Sequence, residues 1–323
     1  MKQFSLWFAL ISCAVLASLL PVSCTKENGA LDPLSMSNKT SMAVNKPSPP
    51  PPPAADPAIV YQNNGTQLLV MNADGSNQTV IFTYGVGLPG VGNPSWSPDG
   101  HSIVFAAMGG AGGLWIMDVS VENGKPTGKN LHQIPLILPA SNPITARWSP
   151  LGDQIVFFSN NDGKLYVIPP TGGTPTVVYT SPSGLYPADP DWSPDASKLV
   201  FYERTVLSPY QWNLKVYNLN TKEVTAVVPP SSAQLSCPAW SRSGDRIAYW
   251  KNSSAGRAIY TVTPTSNPTP VKVIDGGIFP TWSPDDSKLA YNGSKPAGIE
   301  TYTFSGGVIK NLSAGTWPDW RRF

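Results

Sequence analysis

The stretch Trp96-Ser97-Pro98-Asp99-Gly100 precedes the apolar run Ile103-Val104-Phe105 and recurs along the chain in related form. The later copies are identified by Trp148, Trp192, Trp240, Trp282 and, in a truncated copy, Trp320. Successive tryptophans are 52, 44, 48, 42 and 38 residues apart. A period of about 40–50 residues that is rich in short strands is typical of propellers and similar arrays.

Short apolar runs broken by turn residues follow each motif. The first unit carries three, at 59–61, 67–71 and 79–82, with Asp74-Gly75 as a hairpin signal between the last two. In the second unit the outermost strand is predicted at 131–136. Counting the motif strand as innermost, each unit has four strands, and such a sheet buries both faces only when sheets pack around an axis. The sequence therefore predicts an all-β fold, a six-bladed β-propeller of four-stranded antiparallel blades.

The two ends of the chain complement each other. The first unit lacks an inner strand, whereas 315–323 form an inner strand with no unit after it. We therefore expect the C-terminal strand to join the first blade, with Trp317 to Trp320 as the clasp. The six repeat tryptophans are predicted to fill the wedges between blades, each burying about 200 Å². Proline, aspartate and glycine in the motif suit a tight turn.

The N-terminus has the pattern of a targeting segment. Lys2 precedes an apolar stretch at 6–20, too short for a convincing membrane-spanning helix. We expect 1–23 to be a lipoprotein signal peptide and Cys24 to be the lipidated residue. Cys13 follows a better cleavage box but leaves a shorter apolar region, and an ordinary secreted protein with an incidental Cys24 is a further alternative.

Residues 24–57 are predicted to be the lipidated cysteine and a proline-rich tether, and 58–323 the propeller. The unbroken prolines at 49–53 favour an extended polyproline II spacer. A ligand for a proline-binding groove is the alternative. These features predict a protein of the bacterial cell envelope, lipid-anchored on the periplasmic face or in the outer membrane.

Composition limits the partners. Charged residues make up 13% of the chain and its net charge is +2, so nothing resembles the basic face that nucleic acids require. Once the signal is removed, Cys24 and Cys237 remain, which excludes a disulfide framework if Cys24 carries lipid. We expect a monomer that contacts the membrane through its anchor only.

The repeat resembles that of the TolB-type β-propeller family, whose units carry Pro-x-Trp-Ser-Pro-Asp-Gly, then Ile-x-Phe, then Asp-Gly hairpins. Five copies and a partial one cover about 58–323. The resemblance implies a six-bladed propeller that binds proteins or peptides at one end of its channel. This chain differs in having a proline-rich tether where TolB has an α/β domain, in its apparent lipidation, and in turn positions that break the motif at Leu151, Ala196, Arg242-Ser243 and Asp286. Membership of the Tol system is therefore not implied.

Propeller geometry suggests a binding surface. Loops from each outermost strand to the next blade, among them the predicted loop at 181–190 with Tyr186 and Asp189, share a face with the loops that join second and third strands. Tyrosine with arginine is typical of binding hot spots. We expect Arg147 and Asp191, from adjacent units, to pair across the channel mouth. The candidate ligand-binding residues are Tyr84, Arg147, Tyr186, Asp189, Asp191, Arg204, Tyr210 and Phe279.

Motifs for chemistry are lacking. The sequence contains no Gly-x-Ser-x-Gly and no His-Glu-x-x-His. The glycine-rich stretches at 87–92 and 109–113 precede no helix, which favours inter-strand loops over phosphate cradles. We expect no catalytic residue, no metal and no cofactor. The predicted function is a non-catalytic envelope scaffold that binds a protein or peptide. The alternatives are a propeller enzyme of the hydrolase, lyase or lactonase type and a glycan-binding surface lipoprotein.

Overall fold

The computed structural model describes residues 57–85, 90–108, 113–137, 142–294 and 297–322. The predicted signal peptide, Cys24 and nearly all of the tether lie outside these residues. Within them, 24 strands form six four-stranded antiparallel sheets. In chain order the strands are β1 Ile59–Asn63, β2 Gln67–Met71, β3 Thr79–Thr83, β4 Gly90–Trp96, β5 Ser102–Met108, β6 Gly113–Glu122, β7 Lys125–Gln133, β8 Pro143–Trp148, β9 Ile155–Ser159, β10 Lys164–Ile168, β11 Thr176–Thr180, β12 Leu185–Trp192, β13 Lys198–Thr205, β14 Trp212–Asn218, β15 Val224–Ser231, β16 Gln234–Trp240, β17 Ile247–Ser253, β18 Gly256–Val262, β19 Val271–Asp275, β20 Ile278–Trp282, β21 Lys288–Ser294, β22 Ala297–Thr303, β23 Val308–Ser313 and β24 Thr316–Trp320.

The sheets are the six blades of a closed propeller. Blade 1 has the order β24-β1-β2-β3, and blades 2 to 6 follow as β4–β7, β8–β11, β12–β15, β16–β19 and β20–β23. Each inner strand contacts the inner strands on both sides, and β24 contacts both β20 and β4. The predicted fold class is confirmed.

The clasp closes the ring as the sequence predicted. Trp320 pairs with Ile59 and Asp319 with Val60 in an antiparallel register. The N–H of Arg321 donates to the carbonyl of Ala58 at 2.7 Å. The last strand of the chain therefore completes its first sheet through backbone hydrogen bonds.

The hydrophobic core lies between the blades. Each repeat tryptophan packs against the preceding blade, as Trp96 does against Val60, Leu68 and Val70 of blade 1. All six are at most 5% exposed. At about 25 cal/mol per Å² of apolar surface, each contributes several kcal/mol of burial free energy.

The propeller has two faces. The lower face carries the motif turns at 97–101, 149–154, 193–197, 241–246 and 283–287, and the upper face carries the connections at the opposite strand ends, including 160–163, 181–184, 206–211 and 276–277. In the blade 6 turn, Ser283 Oγ donates to Asp285 Oδ1 at 2.6 Å and accepts the N–H of Lys288 at 2.9 Å. The motif serine and aspartate thus cross-link the turn to the strand that follows it.

Two of the motif breaks keep this cross-link. Where Leu151 replaces aspartate, Ser149 Oγ donates at 2.7 Å to Asp153, two residues further on. In blade 5, Ser241 likewise donates to Asp245 at 3.0 Å. An aspartate two positions further along therefore preserves the turn's hydrogen bond where the motif aspartate is absent.

Two predictions of local structure in blade 2 were wrong. The outer strand of blade 2 is β7 at Lys125–Gln133, rather than 131–136, because Asn123 and Gly124 adopt positive φ and form a two-residue hairpin turn. Gly90 and Gly92 belong to the inner strand β4 rather than to a loop. Within the described residues, no helix is both long and apolar enough to span a membrane.

Candidate binding site on the upper face and axis

The same backbone irregularity occurs in every inner strand, three residues before the repeat tryptophan. There the pairing register shifts, and the residue in the bulge has a φ between 47° and 56°. Left-handed backbone costs a non-glycine residue about 1–2 kcal/mol, and bulges re-aim side chains. The six bulge residues are Asn93, Thr145, Asp189, Cys237, Phe279 and Trp317.

Asp189 connects three blades near the axis. Its Oδ1 accepts a hydrogen bond from Thr145 of blade 3 at 3.0 Å, and its Oδ2 accepts from Ser236 Oγ of blade 5 at 2.5 Å. The N–H and thiol of Cys237 also donate to Oδ2, at 3.1 and 3.2 Å. Burial and then the charge of Asp189 raise the pKa of the Cys237 thiol, so the thiol stays protonated as a donor.

In three places the residue before a repeat tryptophan accepts the backbone N–H of the repeat tryptophan in the next blade. Asp191 accepts the N–H of Trp240 at 2.8 Å, and Asp319 accepts that of Trp96 at 2.8 Å. Thr281 accepts the N–H of Trp320 at 3.2 Å. These side chains satisfy backbone donors at the bulges, where the sheet ladder is interrupted. Burial raises the pKa of Asp319.

Arg147 and Asp191 do not pair as predicted. Arg147 Nη1 donates to the carbonyls of Ala146 at 3.0 Å and of Asn93, in the preceding blade, at 3.3 Å. Asp191 faces the other way around the ring and forms its ion pair with Arg322 at 3.5 Å. Among the described residues no ion pair joins Arg147 to Asp191, because each side chain reaches toward a different neighbouring blade.

A small cavity of about 30 Å³ lies on the axis. It is polar on one side, with Arg147, Arg242, Arg322, Asp191 and Asp319 among its lining residues. This volume holds one or a few water molecules. A cavity of this size cannot hold a sugar ring.

Aromatic side chains line another part of the same cavity. Phe279 and Trp317 pack edge to face with ring centroids 5.7 Å apart, and Phe279 contacts Trp250 at 6.4 Å. Trp317 was not among the candidate binding residues, although it occupies the same repeat position as Phe279. Superposing the six repeats on their tryptophans would have identified it.

Three of the predicted residues form a cluster on the upper face, which we call the Arg204 cluster. The guanidinium of Arg204 lies 5.0 Å from the ring centroid of Tyr186 and 5.0 Å from that of Tyr210. Arg204 Nη1 also donates to the carbonyl of Thr205 at 3.1 Å. Tyr210 is 42% exposed, and beside it in the same connection Leu207 is 78% exposed. An arginine held between two tyrosines thus lies next to an exposed apolar side chain.

Both tyrosines of the cluster have further supports. Tyr186 donates its hydroxyl to Asn160 and packs edge to face on Phe158 at 4.7 Å. Tyr210 packs on Trp212 at 5.5 Å. Tyr186 and Asp189 were predicted in a loop, but both lie in β12, so the cluster is built on a strand.

Tyr84 stands apart from the other candidates. Its ring packs on Phe82 at 4.7 Å and on Phe105 at 6.4 Å, at the interface of blades 1 and 2. Burial raises the pKa of its hydroxyl. Its contacts are those of a core residue at a blade interface.

The fold of this chain matches those of solved protein structures. Over 81% of the chain the fold matches the crystal structure of TolB from Acinetobacter baumannii, with a TM-score of 0.60 and 14% identity. The fold is that of a TolB-type β-propeller. The match spans 65% of that TolB chain, so the present chain covers less than two thirds of its length.

Two other solved structures also match this fold. A TolB-type protein of Agrobacterium tumefaciens matches 80% of this chain and 90% of its own, with a TM-score of 0.57 and 15% identity. An oligogalacturonate lyase from Vibrio parahaemolyticus matches 76% of this chain and 73% of its own, with a TM-score of 0.50 and 12% identity. The sequence matches no protein-family model and no curated protein. These likenesses establish the fold alone.

Proposed function

We propose that this TolB-type propeller is a non-catalytic binding scaffold of the bacterial cell envelope, which engages a protein partner on its upper face. The observation that carries the proposal is the Arg204 cluster beside the exposed Leu207. Tyrosine and arginine are enriched among the residues that dominate binding energy.

The cluster is rigid before any partner binds. Arg204 is held by two ring faces and a backbone carbonyl, and Tyr186 is fixed by Asn160 and Phe158. Ordering a long side chain on binding costs about 0.5–1.5 kcal/mol, and a preorganised arginine avoids much of that cost. The donors of Arg204 other than Nη1 remain for acceptors on the partner.

The size of the axial cavity favours a partner that docks on the upper face over one that inserts a segment through the channel. The 30 Å³ cavity has no room for a side chain of the partner to pass the axial arginines, Arg147, Arg242 and Arg322. The partner therefore covers the mouth and contacts its rim, with Phe279 and Trp317 beneath.

Anchoring belongs to the same proposal. A lipid on Cys24 and the tether at 24–57 would hold the propeller near a membrane while leaving its upper face accessible. Replacing Cys24 by serine should move the protein from the detergent phase to the aqueous phase, whereas Cys13→Ser should not. If only the Cys13→Ser variant moved to the aqueous phase, Cys13 would be the lipidated residue.

Site-specific photo-crosslinking tests the docking face. A photoreactive residue at Leu207 should give a discrete protein adduct in intact cells. The matched control is Leu151, which is 70% exposed on the lower face and should give none. Arg204→Ala should reduce the adduct from position 207 about tenfold or more without changing the melting temperature. Equal adducts from both faces, or an adduct indifferent to Arg204, would contradict the proposal.

A further inference from the structure

Three arginines and two aspartates surround the axial cavity. The charges of Arg147, Arg242 and Arg322 exceed those of Asp191 and Asp319 by one. Buried charges are normally paired, because an uncompensated ion in a low-dielectric site is costly. The residues that line the cavity therefore carry one more positive than negative charge.

The arginines are only partly satisfied by the protein. Arg242 Nη2 donates to the carbonyls of Trp320 at 3.1 Å and Trp282 at 3.3 Å, and its Nε is buried without an acceptor. Among the described residues, no carboxylate lies within 4.0 Å of the guanidinium of Arg147 or Arg242. Of the three arginines only Arg322 forms an ion pair, with Asp191 at 3.5 Å. A guanidinium offers five N–H donors, so several remain for a ligand.

Two carboxylates outside the cavity lining accept hydrogen bonds from other donors and leave the remaining arginine N–H groups without an acceptor, although their charges offset part of the positive charge. Asp286 accepts the N–H groups of Arg242 and Ser243, each at 2.7 Å, on the lower face. Asp189 is occupied by Thr145, Ser236 and Cys237. Burial, followed by repulsion from Arg322, lowers the pKa of Arg242 to about 10.

We propose that the axial cavity binds one small monovalent anion of the halide class between Arg147, Arg242 and Arg322. A volume of about 30 Å³ suits a single chloride. The three arginines belong to blade 3, blade 5 and the segment after β24, so the anion joins distant parts of the ring, including the clasp. Its role is to stabilise closure.

Crystals of the full chain grown or soaked in bromide test the site directly. The expected result is an anomalous peak on the axis at hydrogen-bond distance from the arginine nitrogens. Water only at that position would overturn the proposal.

Solution measurements then test the arginines. At constant ionic strength, replacing methanesulfonate by chloride should raise the melting temperature by about 3 °C in a saturable manner. Arg242→Met should abolish this dependence. Arg246→Gln, a change in the same turn at a residue stacked on Trp282 and Phe304, should retain it. A chloride response that is linear, or equal in both variants, would argue against the site, and the bromide crystal decides the question if Arg242→Met does not fold.

Discussion

Asp286 of blade 6 accepts the backbone N–H of Arg242 in blade 5 at 2.7 Å. Asp286 occupies the glycine position of the motif turn and has a φ of 56°. The aspartate at this position is therefore strained in its backbone, but its side chain forms a hydrogen bond between two blades. Ala196 occupies the equivalent position in blade 4 with a φ of 57°, and a methyl side chain can make no such bond.

These two positions should respond oppositely to glycine. Ala196→Gly should increase the free energy of unfolding by about 1 kcal/mol, because it relieves left-handed strain. Asp286→Gly relieves the same strain but loses two hydrogen bonds to a carboxylate, and should decrease stability by about 2 kcal/mol. Urea denaturation of both variants measures the difference. Stabilisation by Asp286→Gly would show that the inter-blade bonds contribute little.

The bonds of Asp189 across the blades predict energetic coupling. Asp189→Ala and Ser236→Ala should show a coupling energy of about 1–2 kcal/mol in a double-mutant cycle, since they share a short hydrogen bond. Ser287→Ala removes a lower-face hydroxyl bonded to Asp285 and should be additive with Asp189→Ala. Additivity in both cycles would remove Asp189 as a link between blades.

The clasp can be tested with a single methyl group. A Cβ on Gly315, whose φ is 135°, would lie 2.6 Å from Tyr61 Cδ2 and 2.9 Å from the Gln62 carbonyl. Gly315→Ala should therefore destabilise the protein by about 3 kcal/mol. Gly124 has a φ of 75° and nothing within 4 Å of such a Cβ, so Gly124→Ala should cost only about 1 kcal/mol. Calorimetry measures the loss of stability in each variant. Equal losses for Gly315→Ala and Gly124→Ala would contradict the close packing at the clasp.

The motif aspartate predicts a pH dependence. Hydrogen bonds from Ser283 and then Ser287 lower the pKa of Asp285 from 3.8 to about 2. A depressed folded-state pKa stabilises the protein above pH 3.8, and this contribution is lost as the pH falls toward 2. The stability difference between wild type and Asp285→Asn should therefore narrow over that interval.

Ser283→Ala is the control for this titration, because it removes the largest cause of the lowered pKa. In that variant the folded-state pKa of Asp285 should lie closer to 3.8, so the loss of stability on acidification should be smaller and should end at a higher pH than in wild type. Equilibrium unfolding at several pH values measures both variants. A stability difference that stays constant from pH 5 to pH 2 would show that Asp285 titrates normally.

Local sequence determined the blades. Each tryptophan motif is followed by apolar runs of strand length and separated by turn residues, so the number of blades, the closing strand and the position of the motif turns were all predictable. The hairpin at Asn123-Gly124 was equally local, and its signal was present but not used.

Only the tertiary structure decided what the axis and upper face contain. Asp191 meets Arg322, and Asp319 meets the N–H of Trp96, across more than a hundred residues of sequence. No spacing rule predicts these contacts, because the left-handed bulges in the inner strands set where each side chain points. The repeats specify a ring because each forms its own hydrogen bonds and buries its own apolar residues. The arginines and aspartates are far apart in the sequence and come together only when the ring closes.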